Sequence, residues 1–139
     1  VVDPRAGIDA ARKAVTDAPS GPASAEPWLA RHSIAVELAA IDDQLRLLEA
    51  LLREAGPDDK DYPDYLFRYA DLCLDRKAIF ENQAGALYEQ IHALEEAGQP
   101  EAARRLAAKQ RELQKQARAA SETAVKAYAV LVTGLRWQG

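Results

Sequence analysis

Glu89-Gln90-Ile91-His92 sets a carboxylate and an imidazole one helical turn apart. That is the Glu-x-x-His spacing by which four-helix carboxylate proteins hold a pair of metal ions. Such a centre needs two of these motifs and two further inward glutamates. Here the motif occurs once, because Leu29 stands at the matching position before His32. Leu87 and Ile91 hold the apolar seam of the same helix, which sets Glu89 and His92 outside its centre. Only a symmetric dimer would double the motif, so the pair is read as surface residues, with no metal and no cofactor expected. Cys73 is the single cysteine. It falls on an apolar seam with no histidine beside it in sequence, and a buried thiol behaves as a small apolar group. Asp42-Asp43, Asp58-Asp59 and Glu95-Glu96 are adjacent carboxylates. Neighbours on a helix point about 100° apart, so these are solvent-facing charges or, at Asp58-Asp59, loop residues, and not an acid–base dyad. No glycine-rich phosphate loop, nucleophile elbow or calcium loop is written in the chain. The expectation is a protein without catalytic residues.

The elements that carry these residues read as helices. Of 139 residues 29 are alanine and 6% are aromatic, a bias towards helix over strand. One cysteine excludes an internal disulfide. No apolar run approaches the roughly 20 residues of a membrane span, so direct membrane insertion is not expected. The chain opens on Val1 and contains no methionine, which reads as a fragment or a processed product.

Residues 1–26 differ from the rest. Ile8, Ala11 and Val15 mark a short amphipathic stretch, followed by the linker composition Ala18-Pro19-Ser20-Gly21-Pro22-Ala23-Ser24. This segment is expected to be flexible or weakly docked. From Pro27 a heptad seam begins: Ile34, Leu38, Ile41, Leu45, Leu48, Leu52, closed by Gly56-Pro57. A second helix starts at Tyr62-Pro63-Asp64. Its seam is Leu66, Ala70, Cys73, Lys77, Phe80, Ala84, Leu87, Ile91 and Leu94, with Tyr69, Leu72, Ile79 and Tyr88 widening the stripe. Gly98-Gln99-Pro100 predicts a tight helical hairpin. The third helix carries Ala103, Leu106, Gln110, Leu113, Ala117, Ala120, Ala124, Ala127 and Leu131, with Val125, Tyr128 and Val132 adding bulk before Gly134. Short loops between long helices force antiparallel neighbours. The expected fold is all-α: an elongated antiparallel up-down-up three-helix bundle with coiled-coil-like packing over residues 27–135, and a tail at 136–139. A helical hairpin that dimerises into a four-helix bundle is the alternative, and a homodimer is compatible with the pattern.

Lys77 interrupts an otherwise apolar seam. It either lays its stem on apolar surface with the amine outside, or meets an acid on another helix and sets register. Gln110 is expected to register the third helix. Charge divides unevenly, −9 over residues 1–99 and +5 over 100–139. The basic third helix therefore suits acidic neighbours. Arg104, Arg105, Lys109, Arg111, Lys115 and Arg118 lack the interleaved aromatics of a nucleic-acid surface, and no nucleic-acid partner is expected. Trp28 and Trp137 are placed near the bundle ends. Tyr65 and Phe67 cannot both face one core, so one of them packs elsewhere. Trp28, Tyr65, Phe67 and Trp137 are the candidate partner-binding residues, the partner being a protein.

Residues 61–75, Asp-Tyr-Pro-Asp-Tyr-Leu-Phe-Arg-Tyr-Ala-Asp-Leu-Cys-Leu-Asp, resemble the first helix of tetratricopeptide (TPR) units found in large cell-envelope proteins of myxobacteria, some tied to gliding motility. Residues 124–132 are similar to a helix that ends such a unit. A standard unit packs two short helices into 34 residues, whereas no break is written between Pro63 and Gly98. What the resemblance implies is a TPR-like scaffold module of the periplasm or cell envelope, with further repeats following in a longer chain. The resulting expectation is a non-enzymatic interaction or scaffold module. The other functional reading is a dimeric four-helix bundle that binds a metal or small ligand.

Overall fold

The computed structural model describes residues 25–134, with side chains from Arg31 onward. The protein is all-α: among the described residues there are three helices and no strand. They are α1 (Ala25–Ala55), α2 (Tyr62–Glu96) and α3 (Pro100–Thr133). Of the flexible or weakly docked segment expected at residues 1–26, residues 1–24 lie outside the described residues, as does the tail at 136–139; Ala25 and Glu26 already belong to α1, two residues ahead of the expected start at Pro27. The chain divides into two compact units with the boundary between Glu54 and Ala55; each is taken on its own.

In the first unit, the seam of α1 follows its heptad spacing. Ile41, Leu48 and Leu52 are buried together with Ala40, and Ile34, Leu38 and Leu45 are half-buried. Arg46 and Asp43, one turn apart on the opposite side, form an exposed ion pair.

The second unit is a helical hairpin whose ends are set by local chemistry. Gly56 has a φ of 73°, a left-handed conformation that glycine adopts without steric cost. Its carbonyl accepts from Asp59 N–H at 3.2 Å, and the Asp59 carboxylate accepts from Asp61 N–H at 2.8 Å. This turn feeds Pro63 into the first turn of α2, where a missing N–H costs nothing. The α2–α3 connection is a Schellman closure. Gly98 N–H donates to the Glu95 carbonyl at 3.1 Å and Gln99 N–H to the Leu94 carbonyl at 2.9 Å, with Gly98 at φ 72°. Pro100 then opens α3. Gly134, at φ 71°, ends α3 by donating to the Val130 carbonyl at 2.8 Å.

The α2–α3 contact is lopsided in side-chain size. α2 supplies Leu66, Tyr69, Phe80 and Cys73 alongside Ala70 and Ala84. α3 supplies Ala103, Ala117, Ala120, Ala124 and Ala127, with Gln110 the one polar member. Ala70 and Ala127 have no exposed surface at all, and Ala124 has 1%. A surface of methyl groups lets the facing backbone come near, so large side chains on α2 fill the space that alanines on α3 leave.

Two expectations are corrected. Tyr88 does not widen the buried stripe; it is exposed, as are Val125 and Val132 on α3. The reason is helical angle. At 100° per residue, Tyr69, Leu72 and Ile79 lie on one flank of the seam, while Tyr88 lies on the other with Phe67 and Leu74.

Candidate interaction face

That second flank is where the hairpin departs from the usual burial of large apolar side chains. Phe67 is 54% exposed, Leu74 37% and Tyr88 62% on α2; Val125 is 63% and Val132 87% exposed on α3. Single exposed apolar residues are ordinary, whereas here five stand along one side of the hairpin.

At the open end of the hairpin, the rings of Phe67 and Tyr128 meet edge-on, with centroids 6.2 Å apart and planes at 70°. The Tyr128 hydroxyl donates to Asp71 Oδ1 at 3.0 Å, tying α3 to α2. Burial, the hydrogen bond to Asp71, the Asp71 charge and that of Cys73 all push the Tyr128 phenol above its ordinary value of 10.0. Each of these opposes a phenolate, so the hydroxyl stays a donor.

Halfway along, small residues open a trough of about 420 Å³ between the two helices. Its floor is made by Ala84, Gly85, Ala117 and Ser121; its rim carries Lys77, Glu81, Tyr88 and Arg118. Lys77 is where the two proposed roles for it are decided. Its side chain is 35% exposed, and its ammonium sits 3.5 Å from Glu81 Oε1, one turn along the same helix. It therefore snorkels, and among the described residues it meets no acid on another helix. Gln110 does register the hairpin. Buried to 8% exposure, it donates from Nε2 to the Ala84 carbonyl at 2.9 Å. A helical carbonyl has a second lone pair beyond its own helix bond, and the methyl side chain of Ala84 lets the amide reach it.

The residues singled out from sequence fall in different places. Phe67 lies on the exposed flank, and Tyr65 is half-buried on the other side of α2, beside buried Tyr62 and Tyr69. Trp28 is within α1, and Trp137 lies outside the described residues. Cys73 is buried at 3% exposure. Glu89 and His92 are exposed, and His92 Nε2 is 3.1 Å from Glu96 Oε1, not from Glu89. Among the described residues no three His, Cys, Asp or Glu side chains are grouped to hold a metal, and no helix is long and apolar enough to cross a membrane. The basic side chains of α3 are exposed, with Arg104 paired to Glu101 one turn away at 2.5 Å. Sequence reading did not single out Leu74, Val125 or Val132 as surface residues. The available signal was a second heptad: Phe67, Leu74 and Tyr88 stand at multiples of seven, as do Val125 and Val132.

Comparison with protein-family models, with curated proteins and with solved structures finds no match to this chain.

Proposed function

We propose that the chain is a non-enzymatic α-helical interaction module, part of a larger scaffold of TPR-like, cell-envelope type, acting on protein partners. One observation carries the interaction reading. The hairpin closes on alanines and yet turns Phe67, Leu74, Tyr88, Val125 and Val132 outward on α2 and α3. A hairpin with no partner gains nothing from large apolar side chains in water, and forgoes the roughly 25 cal/mol that burying each Å² of that surface would contribute. Rigid helices bearing aromatic anchors are the ordinary material of helix-in-groove recognition. The envelope assignment rests on the resemblance of residues 61–75 and 124–132 to TPR helices in such proteins.

The test is a photo-crosslinking amino acid placed at position 88 of the full chain in its native cell, with a control at exposed Ala108 on the solvent side of α3. Discrete protein adducts at 88 and none at 108 are expected. Equal adduct patterns at both positions, or none at either, overturn the reading.

A further inference from the structure

We propose that the exposed flank of the α2–α3 hairpin is the interface for a second copy of this chain, related by a two-fold axis parallel to the helices. The inference rests on the interaction reading above and specifies its partner. Two stripes make the argument. On α2, positions 67, 74, 81 and 88 are Phe, Leu, Glu and Tyr; on α3, positions 132, 125, 118 and 111 are Val, Val, Arg and Arg. Both repeat every seven residues, the spacing that keeps one line of a helix facing a neighbour along its length. Counted outward from Gly98, Phe67 matches Val132, Leu74 matches Val125, Glu81 matches Arg118 and Tyr88 matches Arg111. Every pair is offset by the same three residues, about 4.5 Å along the axis. Both stripes edge the same groove: Glu81, Tyr88 and Arg118 line one trough, and Phe67 touches Tyr128 across it.

Each stripe is thus the complement of the other: apolar on apolar at the open end, acid on base in the middle, aromatic on guanidinium near the turn. An axis parallel to the helices lays α2 of one copy over α3 of the other, antiparallel and level. All four matches then form twice, which is the self-complementarity that a two-fold interface demands. An axis perpendicular to the helices would instead lay α2 on α2 and α3 on α3. The charges disfavour that arrangement. Tyr62–Glu96 carries three basic and seven acidic residues, a net −4; Pro100–Thr133 carries seven basic and three acidic, a net +4. Like helices repel and unlike helices attract.

The experiment is sedimentation equilibrium of the full chain across a wide concentration range, with helix content from circular dichroism as the folding control. Wild type is expected to be a dimer. Glu81→Arg and Arg118→Glu, each measured alone, turn two attractive contacts repulsive and are expected to weaken dimerisation at least about tenfold with helix content unchanged. The deciding arm is an equimolar mixture of the two variants. In a mixed dimer the arginine introduced at position 81 faces the glutamate introduced at position 118, and the two unaltered residues, Arg118 of one copy and Glu81 of the other, face each other. Dimer is therefore expected to return. Glu81 and Arg118 also neighbour each other within one hairpin. An intrachain contact would be rescued only in the double variant and never by mixing, and that result overturns the proposal. So does a wild type that stays monomeric at every concentration. If that monomer still yields foreign adducts from position 88, self-association fails while the interaction module stands.

Discussion

Ala124→Leu tests whether α3 is a close-approach surface or merely a small-residue one. Ala124 is 1% exposed, and the register set by Gln110 on Ala84 places it level with Ala70 of α2. Leucine and alanine have similar helix propensities, so the substitution leaves the isolated helix almost unaffected. If the facing backbone stood far enough away to leave room, three added carbons would be buried at about 0.8 kcal/mol each, and the protein would gain roughly 2 kcal/mol. If the alanine methyls already touch α2, the same atoms force the helices apart or distort rotamers, and the protein loses about 1–3 kcal/mol. The two geometries therefore differ in sign, with a gap of around 4 kcal/mol between them. Packing at a residue with 1% exposure favours the loss. Urea unfolding followed by circular dichroism should show the midpoint falling by about 1 M. Ala108→Leu, on the exposed side of α3, should move it by much less. An unchanged or raised midpoint for Ala124→Leu would refute the account of α3 as a methyl surface in contact with its neighbour.

Two further substitutions probe the polar ties of the hairpin. Gln110→Leu keeps most of the volume and leaves the Ala84 carbonyl its own helix bond, so unfolding should show a change within about 1 kcal/mol. Gln110→Glu instead aims a buried carboxylate at a carbonyl and should cost about 3 kcal/mol or more at pH 7, with much of the loss recovered when acid protonates the new group. Tyr128 should titrate, by its phenolate absorbance, above the unfolded tyrosine value, and Asp71→Asn should lower that midpoint. The sign for stability follows: the folded chain holds the proton more tightly, so this contribution is intact below pH 10 and is lost as pH rises through the folded value. A Tyr128 midpoint unmoved by Asp71→Asn would contradict the hydrogen bond as a cause.

The helices were legible because their signals are local. Glycine at a left-handed position needs no tertiary information, and Gly56, Gly98 and Gly134 all adopt that conformation, the first two with a proline close behind. The seams were legible for a related reason: a 4-3 spacing names the buried line whatever it packs against, and Leu66, Ala70, Cys73, Phe80 and Ala84 are all buried. Gln110 stood out because it broke that line in a helix of alanines, and a polar residue kept in a seam has to find a partner.

What sits beside the seam was not legible by the same rule. Width was read as burial, which merged two flanks of α2 into one stripe. Tyr69 and Tyr88 are both apolar neighbours of the seam, and only the rotation of the helix about its axis separates the buried ring from the exposed one. Phe67 was caught as one half of a choice with Tyr65, because two aromatics two residues apart cannot share a face. Leu74, Val125 and Val132 present no such contradiction, and nothing in their local sequence separates surface from core. The distinction becomes visible once the positions are counted by sevens from Phe67 and from Val132. This second line changes character along each helix: Glu81 falls between Leu74 and Tyr88 on α2, and Arg118 and Arg111 stand in line with Val125 and Val132 on α3. A core has no use for that change. The two-fold interface proposed above would use it, because apolar positions supply contact area and charged ones disfavour the wrong pairing.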